Sequence, residues 1–232
     1  MKQKLVIFSG AGMSAESGLK TFRDHDGLWE NHRVEEVATP QAWASDPQLI
    51  LDFYNMRRAQ LRKAKPNDAH ELIASWEKYF EVEIITQNID DLHERAGSKK
   101  VLHLHGELMK VRSENDPQNI YHWEDDLTLG DRDENGSQLR PHVVWFGEGV
   151  PMMQKAEEMV RQADLLITIG TSLNVYPAAG LIHHVAEESR CFLIDPQIPE
   201  MDFPANWIIL QDTAFKGLQK VEQRLKIKKE TN

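Results

Sequence analysis

Two glycines near the start of the chain could bind a phosphate group. The apolar run Leu5–Phe8 is followed by Gly10 and Gly12, and Ala15 completes the spacing G-x-G-x-x-A. Glycine lets the backbone approach a ligand closely, and the start of a helix offers unpaired N–H groups. The pattern predicts a strand, a tight turn and a helix start that hold a pyrophosphate, with an ordinary strand-to-helix turn as the alternative. The acidic residue usual about 20 positions further on is not evident, because residues 32–39 lack the pattern of a buried strand.

Three amide or acid side chains follow a second apolar run, Val82–Ile85. Gln87, Asn88 and Asp90 leave the end of this predicted strand together, and they could hydrogen-bond ribose hydroxyls and a carboxamide. In open α/β sheets the ligand crevice lies at the carboxyl ends of the strands, which is where these side chains fall. The alternative is a helix N-cap cluster, because Asn and Asp cap helices well.

A pair of histidines follows the next apolar run. His103 and His105 are two residues apart, so a strand would place both side chains on one face. One of them could act as a general base near neutral pH, because an imidazole titrates in that range. A structural histidine is the alternative, and the sequence alone does not choose between them.

Two further segments could contact a ligand. Residues 143–151 form an extended apolar stretch that ends in glycines, and it could pair with a peptide as a strand or could be a buried strand. Gly170, Thr171 and Ser172 follow the run Leu165–Ile169 and offer small polar groups that suit a phosphate or a ribose.

A regular sheet is needed to position these residues. Strand-like runs alternate with amphipathic helical patterns, which favours an α/β fold with a Rossmann-like, doubly wound parallel sheet. The predicted strands are Leu5–Phe8, Val82–Ile85, Val101–Leu104, Val143–Phe146, Leu165–Ile169, Cys191–Ile194 and Trp207–Leu210. The predicted helices are Gln41–Arg62, Asn67–Glu77, Pro151–Gln162, Ala178–Glu188 and Ala214–Leu225.

Two insertions are predicted to form a smaller lobe on this sheet. Residues 31–67 would supply its helical part, and residues 107–142 a turn-rich part with little apolar periodicity. The larger lobe would then consist of about residues 1–30, 68–106 and 143–226. Residues 1–232 are therefore interpreted as one domain with two lobes.

The composition limits the partners and the compartment. The 232 residues carry a formal net charge of −10, which argues against nucleic acid or an anionic membrane as the main partner. A single cysteine, Cys191, excludes an internal disulfide and lies in an apolar run, so we expect a buried thiol. No signal pattern or membrane-spanning run is evident, so we expect a cytoplasmic protein. We also expect a monomer more than an oligomer.

Taken together, the motifs resemble those of the sirtuin family of NAD-dependent protein-lysine deacylases. Five motifs occur in the order and near the spacing of that family, and with the linking helices they cover nearly the whole chain. They are GAGMSAESGLKTFR at 10–23, TQNID at 86–90, His105-Gly106, VWFGE at 144–148 and GTSLNV at 170–175.

The resemblance implies a set of residues that bind NAD, which is consumed as a co-substrate. Those on the pyrophosphate, ribose and adenine side would be Gly10, Ala11, Gly12, Ser14, Ser17, Gly170, Thr171, Ser172, Asp195 and Ala214. Those on the loop over the cofactor and around nicotinamide would be Phe22, Arg23, Trp29, Gln87, Asn88, Ile89 and Asp90. Asp195 departs from the family, which usually has Asn there.

The resemblance also implies a reaction. Val144, Phe146 and Gly147 would hold the acylated lysine of a protein or peptide, and the acyl oxygen would displace nicotinamide from NAD. His105 would act as the general base on the ribose hydroxyls, which leads to free lysine and O-acyl-ADP-ribose. The alternatives are mono-ADP-ribosyl transfer or NAD hydrolysis on the same fold, and a non-catalytic NAD-binding module.

A finer resemblance concerns the acyl group. Ala38, Tyr54 and Arg57 match the subgroup that removes succinyl and malonyl groups. Tyr54 and Arg57 are three residues apart on a predicted helix, so they share a face and could clamp a carboxylate. An ordinary solvent-facing pair is the alternative.

The chain departs from the family where most members hold zinc with four cysteines. The corresponding segment, Glu107–Arg140, contains no cysteine. We expect no zinc there, because clustered carboxylates are poor substitutes for thiolates, and we expect Tyr121, Trp123 and Leu127 to pack as an apolar anchor instead.

Overall fold

Six apolar segments of the chain form one parallel β-sheet. The structure is a computed structural model and describes residues 2–20, 30 and 32–227. Its strands are, in chain order, β1 (Lys4–Ser9), β2 (Glu81–Thr86), β3 (Val101–His103), β4 (Gly106–Ser113), β5 (Ile120–His122), β6 (Leu139–Val143), β7 (Leu165–Ile169), β8 (Arg190–Ile194) and β9 (Trp207–Leu210). The large sheet has the order β3-β2-β1-β7-β8-β9 with every pair parallel. The predicted doubly wound sheet is confirmed, and its topological switch point lies between β1 and β7.

Helices cover both faces of this sheet. They are α1 (Val34–Val37), α2 (Pro40–Ser45), α3 (Pro47–Lys63), α4 (Asp68–Ser75), α5 (Leu92–Arg95), α6 (Met153–Arg161) and α7 (Ala214–Leu225), with 3₁₀ helices at Ala11–Ser17, Trp76–Lys78 and Ala178–His184. One hydrophobic core packs α4 and α7 against Ile7 and Ile84, and another packs α6 against Val6 and Leu166. Both faces of a parallel sheet are buried in this way, which is why its strands are apolar throughout.

Two predicted helices differ in detail. The pattern Gln41–Arg62 divides into α2 and α3, because Pro47 disfavours a helical conformation at Asp46. The Asp46 side chain instead accepts a hydrogen bond from the backbone N–H of Leu49 and caps α3. The pattern Ala178–Glu188 forms a shorter 3₁₀ helix, and Gly180 lowers the helix propensity there.

The segment predicted as turn-rich forms a second, antiparallel sheet of three strands with the order β5-β4-β6. A third core, between this sheet and α3, buries Leu127 and packs Tyr121 and Trp123 against it, which confirms the predicted apolar anchor. The prediction of a strand over Val143–Phe146 is wrong beyond Val143. After that residue the chain leaves β6, and the Phe146 N–H donates to the Ala38 carbonyl, 2.9 Å away.

Some predictions concern single residues or fall outside the described part of the chain. Phe22, Arg23 and Trp29 lie outside the described residues. Cys191 is buried as predicted, and burial raises the pKa of its thiol to about 11. Within residues 2–20, 30 and 32–227, no helix is long and apolar enough to span a bilayer. The same residues bring together no group of three or more metal-ligating side chains.

Candidate active site

The turns after β1 and β7 meet at the carboxyl edge of the sheet. The Gly10 N–H donates to Ile169 O at 3.0 Å, and the Gly12 N–H donates to Gly170 O at 2.8 Å. A Cβ atom on Gly10 would lie 2.7 Å from Gly170 O, and Gly170 has φ +64°. The glycines therefore serve a close approach of two backbone turns, and the N–H groups of Gly10 and Gly12 are used in that contact. The helix that follows, Ala11–Ser17, is a 3₁₀ helix that ends at Gly18 in the left-handed conformation.

A cavity of about 470 Å³ opens at this edge. Most of the described residues predicted for the site line it, and a volume of this size is typical of ligand pockets. They are Gly10, Ala11, Gly12, Ser14, Arg57, Gln87, Asn88, Ile89, Asp90, His105, Val144, Phe146, Gly147, Gly170, Thr171, Ser172, Asp195 and Ala214. Of the predicted site residues that the structure describes, Ser17, Ala38 and Tyr54 do not line the cavity.

A hydrogen-bonded group of polar side chains forms one wall. Ser14 Oγ donates to Asp90 Oδ2 at 2.9 Å and accepts from Asn88 Nδ2 at 3.1 Å. Gln87 Nε2 donates to Thr171 Oγ1 at 3.0 Å, which joins the ends of β2 and β7. Asp90 is buried, and burial raises the pKa of its carboxyl group. This polar wall of the cavity is therefore pre-organised by hydrogen bonds between its own side chains.

His105 is arranged as a base. Its Nδ1 lies 3.0 Å from the Gln87 carbonyl oxygen, which can only accept, so Nδ1 carries the proton and Nε2 is left as the basic nitrogen. Burial lowers the pKa of the imidazole, and this effect outweighs the bond to Gln87. His105 is therefore neutral at neutral pH and lines the cavity with a lone pair on Nε2.

His103 has a different environment. Its Nδ1 lies 3.0 Å from the Asn88 carbonyl oxygen, and its Nε2 lies 2.7 Å from Glu94 Oε1. Burial lowers the pKa of His103, but the Glu94 carboxylate outweighs burial and leaves it raised. His103 is not among the described residues that line the cavity. The structure thus separates the two histidines that the sequence left equivalent.

A polar cluster below the cavity was missed by the sequence interpretation. Ser9 Oγ lies 3.0 Å from His93 Nε2 and donates to Thr86 Oγ1 at 2.9 Å. Thr86 Oγ1 also accepts from the Asn88 N–H at 3.0 Å. The His93 ring packs edge-on against His70, with 4.8 Å between ring centroids. These residues hold the turn that carries Asn88. Their neighbours in sequence are apolar, so the sequence did not predict this polar cluster.

Of the three residues predicted for the acyl pocket, Arg57 alone lines the cavity. Arg57 lines the cavity, whereas Tyr54 is fully buried behind it, so a solvent-facing pair is excluded. The Trp145 Nε1–H donates to the Tyr54 hydroxyl at 3.1 Å. Burial raises the pKa of Tyr54 well above its ordinary value, so the phenol keeps its proton. Ala38 is buried, and its carbonyl accepts the Phe146 N–H, so it positions the segment after β6.

Glu148 ties that segment to the small sheet. Its carboxylate accepts hydrogen bonds from Arg112, from Arg140 and from the backbone N–H of Trp145, all between 2.8 and 3.2 Å. The Arg140 guanidinium also stacks 3.3 Å above the Trp145 ring. Glu148 lies in the motif VWFGE, but its partners on β4 and β6 could not be found from local spacing.

Comparison with known protein sequences identifies the family. The Sir2 family model matches residues 10–177. An NAD-dependent protein deacylase of Helicobacter pylori is 54% identical over 223 residues, which cover 96% of this chain and 97% of that protein. One of Bacteroides thetaiotaomicron is 48% identical over 229 residues, which cover 96% of this chain and 98% of that protein.

Solved structures agree with the sequence comparison. A Sir2 homologue in complex with NAD has a TM-score of 0.86 at 39% identity, covering 97% of this chain and 90% of that one. A complex of Sir2 with a p53 peptide and NAD⁺ has a TM-score of 0.79 at 29% identity, covering 98% of this chain and 95% of that one. The resemblance deduced from the motifs is confirmed, and the chain belongs to the Sir2, or sirtuin, family.

Proposed function

We propose that this protein removes acyl groups from protein lysines in an NAD-dependent reaction, with succinyl and malonyl groups preferred over acetyl. The observation that carries the proposal is the position and the hydrogen bond of His105. Its Nδ1 bonds to the Gln87 carbonyl, and it lines the same cavity as the glycine turns after β1 and β7. Relatives that match nearly the whole chain are named NAD-dependent protein deacylases.

The residues present fit NAD. The cavity lies at the topological switch point, where doubly wound sheets bind dinucleotides. Gly170, Thr171 and Ser172 would hold the phosphates and a ribose, and Asp195 and Ala214 would lie at the adenosine end. Gln87, Asn88 and Asp90 would hold the nicotinamide ribose and nicotinamide. Bound NAD supplies a ribose carbon from which nicotinamide can leave.

His105 moves the proton in this scheme. Its basic Nε2 accepts a proton from a ribose hydroxyl, and the resulting imidazolium is stabilised by the Nδ1–H bond to the Gln87 carbonyl. A general base contributes about 10²- to 10⁴-fold in rate. Because burial lowers the pKa of His105, turnover should be constant above pH 6.5 and fall as the pH drops through the lowered pKa.

The substrate lysine would enter beside Phe146. This side chain lines the cavity and is 44% exposed, so it lies at the mouth. Val144 and Phe146 would flank the lysine stem, and Gly147, with φ +92°, turns the segment there. The partners are therefore acyl-lysine proteins or peptides, and the net charge of −10 suits basic, lysine-bearing segments.

The acyl preference rests on Arg57. Its guanidinium lines the cavity, and a guanidinium can bind a carboxylate through two parallel hydrogen bonds. The Tyr54 phenol lies behind Arg57 and stays protonated, so its hydroxyl can donate a hydrogen bond. Small Ala38 would leave room for a longer chain. We also propose that the protein is monomeric and cytoplasmic.

The test compares matched acetyl-, malonyl- and succinyl-lysine peptides in a mass-spectrometric NAD assay. We expect the acidic acyl groups to be removed faster, and Arg57→Met to lose that preference while acetyl removal persists. His105→Ala should lose turnover by about 10²-fold or more and still bind NAD. Exposed Arg224→Met on α7 is the matched control.

The outcomes separate the alternatives. Equal removal of all three groups, unchanged in Arg57→Met, would contradict the clamp and leave the deacylase. Nicotinamide release that is independent of every peptide would favour ADP-ribosyl transfer or NAD hydrolysis. NAD binding without nicotinamide release under any condition would favour a non-catalytic module.

A further inference from the structure

Glu30 bridges two cations of the cavity wall. Its Oε1 lies 3.4 Å from Arg57 NH1, and its Oε2 lies 3.1 Å from Lys20 Nζ. Lys20 and Arg57 both line the cavity. The Glu30 side chain is 5% exposed and that of Arg57 is 9% exposed, so water screens this ion pair little.

Arg57 depends on a nearby negative charge. Burial lowers the pKa of its guanidinium, and Glu30 and then Asp90 oppose this effect through their charges. A buried cation without a counter-charge is costly, so an anion next to Arg57 stabilises the folded protein. Glu30 supplies that anion as a carboxylate, which is the same chemical group that ends a succinyl or malonyl chain.

We infer that Glu30 is a specificity-determining residue, because its carboxylate competes with an acidic acyl group for Arg57. This inference rests on the proposed function and deepens it. When the acyl group is neutral, Glu30 pairs with the Arg57 guanidinium. When the carboxylate of a succinyl or malonyl chain binds, the contact between Glu30 and Arg57 breaks or weakens. The balance between these two arrangements sets the ratio of acidic to neutral acyl groups that the enzyme removes.

The geometry favours such an exchange. In the contact described, one guanidinium nitrogen faces one carboxylate oxygen at 3.4 Å, whereas charge-assisted hydrogen bonds are usually about 2.7–2.9 Å long. A carboxylate that approaches the planar edge of Arg57 can form two shorter bonds. Replacing one carboxylate by another also keeps the buried cation paired. The exchange therefore costs less than binding an anion to an empty buried site.

The same contact explains how the pocket can accept a neutral acetyl group. An acetyl chain offers no charge, so without Glu30 it would face a less compensated guanidinium. With Glu30 in place the pair is close to neutral. Glu30 thus favours acetyl over succinyl, although Arg57 favours the reverse.

The test removes the Glu30 charge and keeps the side-chain shape. We expect Glu30→Gln to lower KM for the succinyl peptide and to raise the ratio of kcat/KM for succinyl over acetyl about tenfold. KM for NAD should stay unchanged, and acetyl kcat/KM should not rise. Glu35→Gln on α1 is the charge-matched control, because Glu35 is exposed, and its ratio should equal that of the wild type.

A second variant distinguishes loss of the Glu30 charge from a folding defect. Glu30→Asp keeps the charge on a shorter side chain, and Asp tolerates the positive φ of 51° at this position, so its ratio should lie between wild type and Glu30→Gln. A ratio that falls in Glu30→Gln, through a higher succinyl KM, would show that Glu30 positions Arg57 and would overturn the competition. An unchanged ratio would overturn it as well.

Failure of the proposed acyl preference looks different. If the wild-type enzyme removes succinyl no faster than acetyl and Arg57→Met changes nothing, the preference itself is wrong. If Arg57→Met abolishes a clear succinyl preference that Glu30→Gln leaves unchanged, only the inference about Glu30 is wrong.

Discussion

The proposed nucleotide end of the cavity, at Gly10 and Gly170, and the proposed acyl end, at Arg57 and Glu148, are built by different means. At the nucleotide end, backbone meets backbone: the turns at Gly10 and Gly170 are so close that a Cβ atom on Gly10 would lie 2.7 Å from Gly170 O. At the acyl end, long side chains are buried and paired: Glu148 accepts from Arg112 and Arg140. One end excludes side chains, and the other depends on them.

The difference determines how each end tolerates change. Contacts between backbones leave no room for relaxation, because turns cannot move without displacing their strands. Paired side chains can exchange one partner for another and can adapt to different acyl groups. We expect substitutions at the nucleotide end to act on the fold, and substitutions at the acyl end to act mainly on substrate choice.

The largest effect should come from adding one methyl group at the nucleotide end. In Gly170→Ala the new Cβ would lie 2.4 Å from Met13 N, at a φ of +64° that disfavours alanine. We expect the free energy of unfolding to fall by about 2–4 kcal/mol and NAD binding to be lost. Chemical denaturation and NAD titration measure both. Gly180→Ala, where a Cβ would meet nothing within 4 Å, is the control and should bind NAD normally.

The nucleotide end could be predicted from sequence because its signals are local. Gly10 and Gly12 follow an apolar run directly, and parallel strands buried on both faces are apolar throughout. The predicted helix Ala214–Leu225 has the observed bounds of α7. Here spacing within a few residues carried the information that the fold required.

The acyl end could be predicted only in part. Tyr54 and Arg57 share a helix, so their proximity could be predicted, but Arg112 and Arg140 face each other across β4 and β6, 28 positions apart in sequence. Two like charges in such a pair are unfavourable without an anion between them, and Glu148 supplies it from a third segment. No periodicity encodes a contact of this kind, and for the same reason the small sheet itself was missed.

Acid should destabilise the fold through two buried histidines below the cavity. Burial lowers the pKa of His70 to about 4 and that of His93 well below 6.5, so both are neutral when folded. Between these values and 6.5 the unfolded chain binds more protons than the folded one, so stability falls as the pH decreases from 6.5. For His70 the loss by pH 4 is about 3 kcal/mol.

Denaturation between pH 7.5 and pH 4 tests this. His70→Gln should reduce the slope of unfolding free energy against pH, whereas the exposed His122→Gln should leave it unchanged. The pKa of Glu148 is lowered because its bonds to Arg140 outweigh burial, so its contribution persists until the pH falls below 4.5. A stability that stays flat from pH 6.5 to 4.5 would contradict the assignment to histidines.

At the acyl end, Glu148→Gln removes the charge that pairs two arginines. The carboxylate is 21% exposed, so we expect a moderate loss of about 1–3 kcal/mol in unfolding free energy. KM for the acyl peptide should rise while KM for NAD stays the same, because the segment after β6 is loosened. Glu158→Gln, which breaks an exposed pair with Arg161, should change neither. A rise in both KM values would mean that the two ends are not independent.

The smallest effect should come from one hydrogen bond behind Arg57. In Tyr54→Phe the Trp145 indole N–H loses its acceptor at 3.1 Å, while both aromatic rings stay in place. We expect a loss of about 1 kcal/mol in stability and about a threefold fall in succinyl over acetyl preference. Tyr121→Phe is the matched control, because Tyr121 packs against the third core and does not line the cavity. Equal preference changes in both variants would mean that general loosening, and not the Tyr54 hydroxyl, governs acyl choice at this end.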